Sequence, residues 1–254
     1  MKIGRIFDDG EARLVIVEGD DVYEAVGMSL FDTLEKGAHW ANVAACRFLP
    51  PTDPTKVVAI GLNYVAHAKE SNSPLPKYPL VFLKPPSSVI GHMDPIVWPS
   101  MTEEIGYESE LGVVIGKRCK NVPKERALEY VLGYSCANDV SARDCQRNDG
   151  QWSRAKGFDT FCPYGPWIET DLDPGNVAIS GKLNGEQRQN SNTSDLVFDV
   201  KHLIWHVSQV YTLEPGDLLI TGTPAGVGLM KEGDAYEVIL EGIGSLKNQL
   251  MRRA

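Results

Sequence analysis

Residues Tyr107–Gly116 read YESELGVVIG. Their alternation, bounded by Gly106 and Gly116, predicts a strand, so Glu108 and Glu110 share a face with Cα atoms roughly 7 Å apart. Leu111 to Ile115 are apolar on both faces, as in a strand that runs into a core. Ionised carboxylates at the mouth of such a strand repel each other and lose hydration unless a cation sits between them, and a hard divalent metal suits that place. The competing reading is a solvated strand edge, because 34 Asp and Glu among 254 residues make a Glu-x-Glu pair ordinary. What separates the two lies elsewhere in the chain.

The length admits one large domain, or a large one with a small appendage. A hydrophobic content of 43% with 23% charged residues fits a soluble globular protein. The net charge of −9 argues against nucleic acid and anionic membrane as partners, though not against anionic substrates, since a local metal dominates its own site. No apolar run approaches the roughly 20 residues of a membrane span, and MKIGRIFDDGEAR lacks the apolar region of a signal peptide. A cytoplasmic location is expected. Cys46, Cys119, Cys136, Cys145 and Cys162 form an odd set with no C-x-x-C, which predicts reduced, packed thiols.

Residues 2–25 alternate short strand patterns with turns at Asp8 to Gly10 and at Asp20 and Asp21, the signature of a small β unit. Ser29 with Asp32 resembles a capping box and predicts a short helix through about Lys36. The prolines of FLPPTDPTK then form a stiff connector. This divides the chain into a small N-terminal domain, 1–49, and a larger one, 56–254.

KVVAIGLN predicts a strand ending at Gly61, with Asn63 capping a helical turn over YVAHAKE. His67 and Glu70, three apart on that turn, have the geometry of a general base and its orienting carboxylate; a plain surface pair is the alternative. SNSPLPKYP suits either a flap or an inert loop, and Lys84 in LVFLKPP reads as structural. A helix is expected near Lys124–Val131 with Gly133 as its cap, then a strand through about Ala137. Asp139 and Arg143 follow that strand, where a third metal ligand and a substrate-binding arginine would sit, unless Asp139 merely caps SARDCQ. Lys156 lies among aromatic residues, which constrains it, although packing of its methylenes explains many such cases.

Residues 177–190 read as a hairpin around Asn184 to Glu186. TSDLVFDVKHLIWHVSQVYTL predicts an amphipathic helix, with Leu196, Val200, Leu203, Val207 and Val210 on one face. His202 and His206 have zinc spacing, but no H-E-x-x-H glutamate or third ligand accompanies them, so a structural role is assigned. EPGDLLITGTPAGVG ends in a glycine loop without G-K-[ST], suited to bringing backbone amides and the Thr223 hydroxyl close to a small ligand.

In order, GLNYVAHAKE, YESELGVVIGK, NDVSARDCQ, RAKGFDTFCPYGPWI and LEPGDLLITGTPAGVG resemble the motifs of the fumarylacetoacetate hydrolase family, over roughly residues 56–248. The resemblance implies an α+β, mainly β fold with a mixed β-roll catalytic domain behind the small N-terminal unit, usually dimeric, with Mg²⁺ or Mn²⁺ at its centre. By motif position Glu108, Glu110 and Asp139 are similar to the family's metal ligands, and His67 with Glu70 to its catalytic pair. Arg143, Gln146, Lys156 and Thr223 fall where the family binds the substrate's carboxylate and developing enolate, Lys156 being counted with the catalytic groups. The prototype hydrolase has a further aspartate ligand seven residues before its histidine; here that position is Ile60, as in the short bacterial-type members.

Three carboxylates leave about half of an octahedral sphere for water and substrate, which a 2-oxo acid can chelate through ketone and carboxylate. Three reactions share the resulting enolate. Attack of water on a C4 ketone hydrolyses the C3–C4 bond of an acylpyruvate, and this is the first expectation. Loss of CO₂ from a C4 carboxylate is oxaloacetate-type decarboxylation, and proton movement along an unsaturated chain is isomerisation of a 2-hydroxyhepta-2,4-diene-1,7-dioate-like diacid. A non-catalytic sensor of metal and carboxylate is the contrasting possibility, against which the retention of His67 and Glu70 speaks.

Overall fold

The alternation of the first 26 residues folds as three strands, Lys2–Asp8, Glu11–Glu18 and Asp21–Val26, in a computed structural model that describes residues 1–252. Asp9 and Gly10 between the first two take φ of 45° and 85°, the left-handed pair that a two-residue hairpin turn requires. The helix expected from Ser29 does not form. Ser29 Oγ instead accepts the Phe31 N–H at 3.1 Å to close a turn, and the chain leaves as the strand Glu35–Asn42 beside Asp21–Val26. A ladder satisfies that backbone, whereas one isolated helical turn leaves most of its N–H and C=O groups open.

The main sheet has twelve strands. Across it run Glu35–Asn42, Asp21–Val26, Glu11–Glu18, Lys2–Asp8, Cys162–Glu169, Val131–Asn138, Ser109–Ile115, Leu218–Ile220, Val57–Gly61 and Leu80–Lys84, with two short strands off this path. The N-terminal strands join it where Lys2–Gly4 pair with Trp167–Glu169. Leu218–Ile220 runs parallel to Val57–Ala59 among otherwise antiparallel neighbours, so the sheet is mixed. A five-stranded sheet holds Glu186–Asn192, Ala178–Leu183, Ala235–Leu240, Gly244–Arg252 and Ile96–Trp98, and a three-stranded one holds Ser141–Ala142, Ile105–Tyr107 and Gly228–Met230. The α+β, mainly β expectation holds.

Leu111, Val113 and Ile115 of the main sheet pack in one core with Ile179, Tyr236, Val238 and Leu246 of the five-stranded sheet, while Val114 on the other face joins a second core with Ala59, Leu218 and Ile220. Both faces of the Ser109–Ile115 strand are thus buried, each large aliphatic side chain contributing roughly 1.5–3 kcal/mol. The expected single strand over Tyr107–Gly116 is in fact two. Ile105–Tyr107 belongs to the three-stranded sheet and Ser109–Ile115 to the main one, and Glu108 is the joint between them.

Four α-helices complete the described residues: α1 (Val65–Glu70), α2 (Arg143–Asn148), α3 (Ser153–Gly157) and α4 (Val200–Val210). The long amphipathic helix contracts to α4, because Asp199 accepts the His202 N–H at 2.7 Å and caps it there. Residues Lys124–Tyr130 form a 3₁₀ segment. Gly133 is no cap but an inner residue of Val131–Asn138. A Cβ there would stand 2.5 Å from the Glu169 carbonyl of the neighbouring strand, so its glycine serves close approach rather than a turn. Among the described residues no helix is long and apolar enough to cross a membrane.

Candidate active site

Strand ends deliver the acidic residues. Glu108 at the joint has its N–H taken by Asn138 Oδ1 at 3.0 Å, and its carbonyl accepts the Asp139 N–H at 3.0 Å, so the joint and the end of the Val131–Asn138 strand lock together. Glu110 lies two residues on, paired with Ala137. One carboxylate oxygen each of Glu108, Glu110 and Asp139 lie within 4.8 Å of one another, all three buried.

Two lysines and an arginine answer them. Lys156 on α3, 2% exposed, donates to Glu108 Oε2 at 2.8 Å and Asp139 Oδ2 at 2.5 Å, while Arg143 at the start of α2 pairs with Glu108 Oε1 at 2.6 Å. Lys84, read as structural from the sequence, is fully buried with its ammonium on Asp139 Oδ1 and on the Phe161 carbonyl at 2.7 Å. Burial works to raise the Glu108 carboxyl, but Lys156 and Arg143 outweigh it and hold that group below the usual carboxylate range. Burial likewise works to lower Lys156, yet Asp139 and Glu108 keep its ammonium above the ordinary lysine range. Glu110 stands apart. Burial, then Asp139 and Glu108, push its carboxyl well above the usual range.

Glu110 accepts only the Gly222 N–H at 2.7 Å and has no salt bridge among the described residues. A buried carboxylate without a cation is costly, so the three-oxygen cluster fits a divalent ion with hard-ligand preference. Gly222 can offer its amide because it takes φ of +100° beneath Asn63, where a Cβ would lie 2.8 Å from the Asn63 Cβ.

The helix α1 carries the rim. Leu62, at φ of 52°, turns the chain out of the Val57–Gly61 strand. Asn63 does not cap α1 as expected. Fully buried, it donates to the Thr221 carbonyl at 2.8 Å and accepts the Phe198 N–H at 2.9 Å, clamping the glycine loop to the segment before α4. His67 Nδ1 lies 3.1 Å from Glu70 Oε2, and Glu70 Oε1 accepts the Gly226 N–H at 3.0 Å. An ionised Glu70 assigns the proton to Nδ1 and leaves the Nε2 lone pair free.

These groups border one cavity of about 380 Å³. His67, Glu108, Asp139, Arg143, Gln146, Lys156 and Thr223 all line it, while Glu110 is buried behind them and Glu70 sits on the outer side of His67, partly exposed. Ile60, Phe82 and Trp152 form its apolar wall, and Ser71 and Ser73 bring the SNSPLPKYP segment to its edge. Gln146 Oε1 accepts from Arg143 Nη1 at 2.9 Å, which leaves its amide N–H groups for a ligand, and Arg143 Nη2 is buried without a partner. The glycine loop departs from expectation in part, since the Gly222 amide serves Glu110 instead of a ligand. Sequence reasoning missed two residues. Lys84 had a faint signal, a lysine closing an apolar strand; Gln189, fully buried against Thr223 Oγ1 at 2.8 Å, had none.

A sequence profile described as "Fumarylacetoacetate (FAA) hydrolase C-terminal" matches residues 56–251. A solved 5-carboxymethyl-2-hydroxymuconate delta-isomerase from Mycobacterium smegmatis is 45% identical, with a TM-score of 0.92 and 100% of each chain covered. The human mitochondrial oxaloacetate tautomerase FAHD2B is 44% identical over 84% of this chain and 71% of its own length. A maleylpyruvate hydrolase from Sphingobium sp. SYK-6, solved with manganese(II) and pyruvate, is 30% identical at a TM-score of 0.83, again over 100% of each chain. With its ordered motifs, this profile match and these full-length likenesses, the chain belongs to the fumarylacetoacetate hydrolase family.

Proposed function

We propose that this protein is a divalent-metal-dependent enzyme that moves a proton at C3 of a small 2-oxo acid, interconverting the keto and enol forms of an oxaloacetate-type dicarboxylate. The observation that carries this is the opening of the Glu70-oriented His67 and the acidic cluster onto the same cavity. Glu108, Glu110 and Asp139 would hold Mg²⁺ or Mn²⁺, which supplies Lewis-acid polarisation of a 2-oxo group. The unpartnered Arg143 Nη2 and the Gln146 amide bind and orient a substrate carboxylate. The Lys156 ammonium, held 2.8 Å from Glu108, stabilises negative charge developing at the 2-oxo oxygen. His67 Nε2 takes the proton from C3 as the electron pair of that bond shifts toward the 2-oxo oxygen, and the imidazolium, steadied by Glu70, gives the proton to that oxygen to form the enol; ketonisation runs the same transfers in reverse. Ile60, Phe82 and Trp152 keep water from that carbon.

The 44% identity to an oxaloacetate tautomerase and the 45% identity to an isomerase support proton transfer as the outcome. Hydrolysis of a C–C bond in a β-diketo acid, the first expectation from sequence, becomes the second reading. It draws on the likeness to the maleylpyruvate hydrolase, and His67 would then act on water. Ketonisation of enol oxaloacetate, followed by ultraviolet absorbance with Mg²⁺ and with chelator, tests the first reading, and NMR of acetylpyruvate tests the second. A chelator-sensitive acceleration with intact acetylpyruvate is expected. Acetate and pyruvate formed without acceleration of ketonisation would replace tautomerisation by hydrolysis.

A further inference from the structure

The strand Leu80–Lys84 runs outward from the floor of the cavity. Alternation puts Lys84, Phe82 and Leu80 on one face of it, and exposure rises in that order, from the buried Lys84 on Asp139 through the partly buried Phe82 to the exposed Leu80. Val57, Ala59 and Gly61 of the neighbouring strand stand opposite these three. Gly61, opposite Leu80, leaves the outermost place on that face without a side chain, and the benzo edge of Trp152 fills it. A Cβ on Gly61 would lie 2.5 Å from Trp152 Cζ3 and 2.9 Å from Cη2.

Trp152 and Lys156 share one turn of chain at α3. The Lys156 N–H donates to the Trp152 carbonyl at 2.9 Å, so the two side chains stand on one side of the helix, about 6 Å apart along its axis. Both meet Phe82. The Lys156 ammonium lies 5.4 Å from the centroid of that ring, and the indole packs edge-on against it at 5.3 Å and 81°. The order along the wall is ammonium, phenyl ring, indole, leading away from the Glu108 and Asp139 carboxylates that hold the ammonium. All three side chains line the cavity.

We propose that Trp152 is a specificity-determining residue: seated on Gly61 and held against Phe82, its indole ends the apolar wall about one helical turn beyond Lys156 and selects 2-oxo acids with short chains over those with longer ones. The proposal rests on the reading of this cavity as a site for small 2-oxo acids. A ligand whose 2-oxo end is held at Lys156 and Arg143 lays its remaining carbons along Phe82. An extended four-carbon chain spans roughly 4 Å and ends short of the indole, whereas six or seven carbons span roughly 6 to 8 Å and meet it. Oxaloacetate-type acids are thereby favoured over longer unsaturated diacids with the same head group, by obstruction of the longer chain rather than by added affinity for the shorter one.

The test is calorimetric binding of 2-oxobutyrate and 2-oxohexanoate to the Mg²⁺-loaded protein, comparing the wild type with Trp152→Ala and Trp152→Phe. The ratio of the two affinities should shift by roughly tenfold toward the six-carbon acid in Trp152→Ala, as two further methylenes find room, and by less in Trp152→Phe. Should the alanine variant fail to fold, the smaller shift in the phenylalanine variant decides. An unchanged ratio, or an equal loss of both ligands, overturns the role of Trp152 while leaving the 2-oxo acid reading intact. A shift against the six-carbon acid also overturns it, by showing the indole to be a contact for long chains. Failure of both acids to bind the wild type removes the reading of the cavity and the proposal with it.

Discussion

The floor of the cavity stands on strands and its rim on one short helix. Glu108, Glu110 and Asp139 project from the joint and ends of central strands in the main sheet, each 5% exposed or less, and Lys84 and Lys156 brace two of them. His67 and Glu70 ride on six residues of α1 without a side-chain cap, held at Gly226, and the Glu70 side chain is 37% exposed. Strands that are buried on both faces fix ligand atoms to within a narrow geometry; a single helical turn is held by few contacts and yields more easily. On the proposed reading the floor serves binding and charge and the rim serves proton transfer.

Substitutions that separate the two come in decreasing order of effect. Glu110→Ala in the floor should weaken Mg²⁺ binding by on the order of 1000-fold in calorimetry and take turnover to background, because an all-oxygen site loses a charged ligand. Full Mg²⁺ affinity in that variant would remove Glu110 from the floor. Glu70→Gln at the rim should lower turnover by about 100-fold through loss of the His67 tautomer, with Mg²⁺ affinity unchanged by the same titration. If metal binding collapsed as well, rim and floor would be one unit.

Gly106→Ala places a methyl 2.5 Å from Arg143 Nε and should raise KM by roughly tenfold through a displaced guanidinium, leaving kcat nearly intact; an unaffected KM would show Arg143 to be free of the ligand. The smallest effect is on pH. Because burial, Asp139 and Glu108 hold the Glu110 carboxyl above the usual range, metal must displace its proton at low pH. Mg²⁺ affinity should rise with pH by at most about tenfold per unit until that carboxyl ionises, with one proton released on binding in calorimetry across buffers of different ionisation heat. Affinity that falls with rising pH would contradict the assignment.

How far the sequence foretold this follows from the range of the interactions. Glu108, Glu110, Asp139 and Arg143 each had a bland reading alone and were legible as a group only through the order of the motifs that carry them, and the His67–Glu70 pair because it is local to one turn. Lys84 and Gln189 were not. Their partners lie 55 residues away at Asp139 and 34 away at Thr223, and only the sheet order brings them together. Local signals also misled where tertiary pairing outweighed them: Ser29 and Asp32 looked like a cap but precede a strand, Asn63 clamps two loops, and Gly133 admits a neighbouring strand. The break at Glu108 had no periodic signature, since Tyr107 and Ser109 continue the same alternation into different sheets.

The division between floor and rim is tested most directly by measuring Mg²⁺ affinity and oxaloacetate ketonisation on one preparation of His67→Ala. The account predicts affinity within about twofold of wild type and a rate lower by about 100-fold or more, the usual contribution of a positioned base. Affinity and rate falling together, or a rate left unchanged, would contradict it.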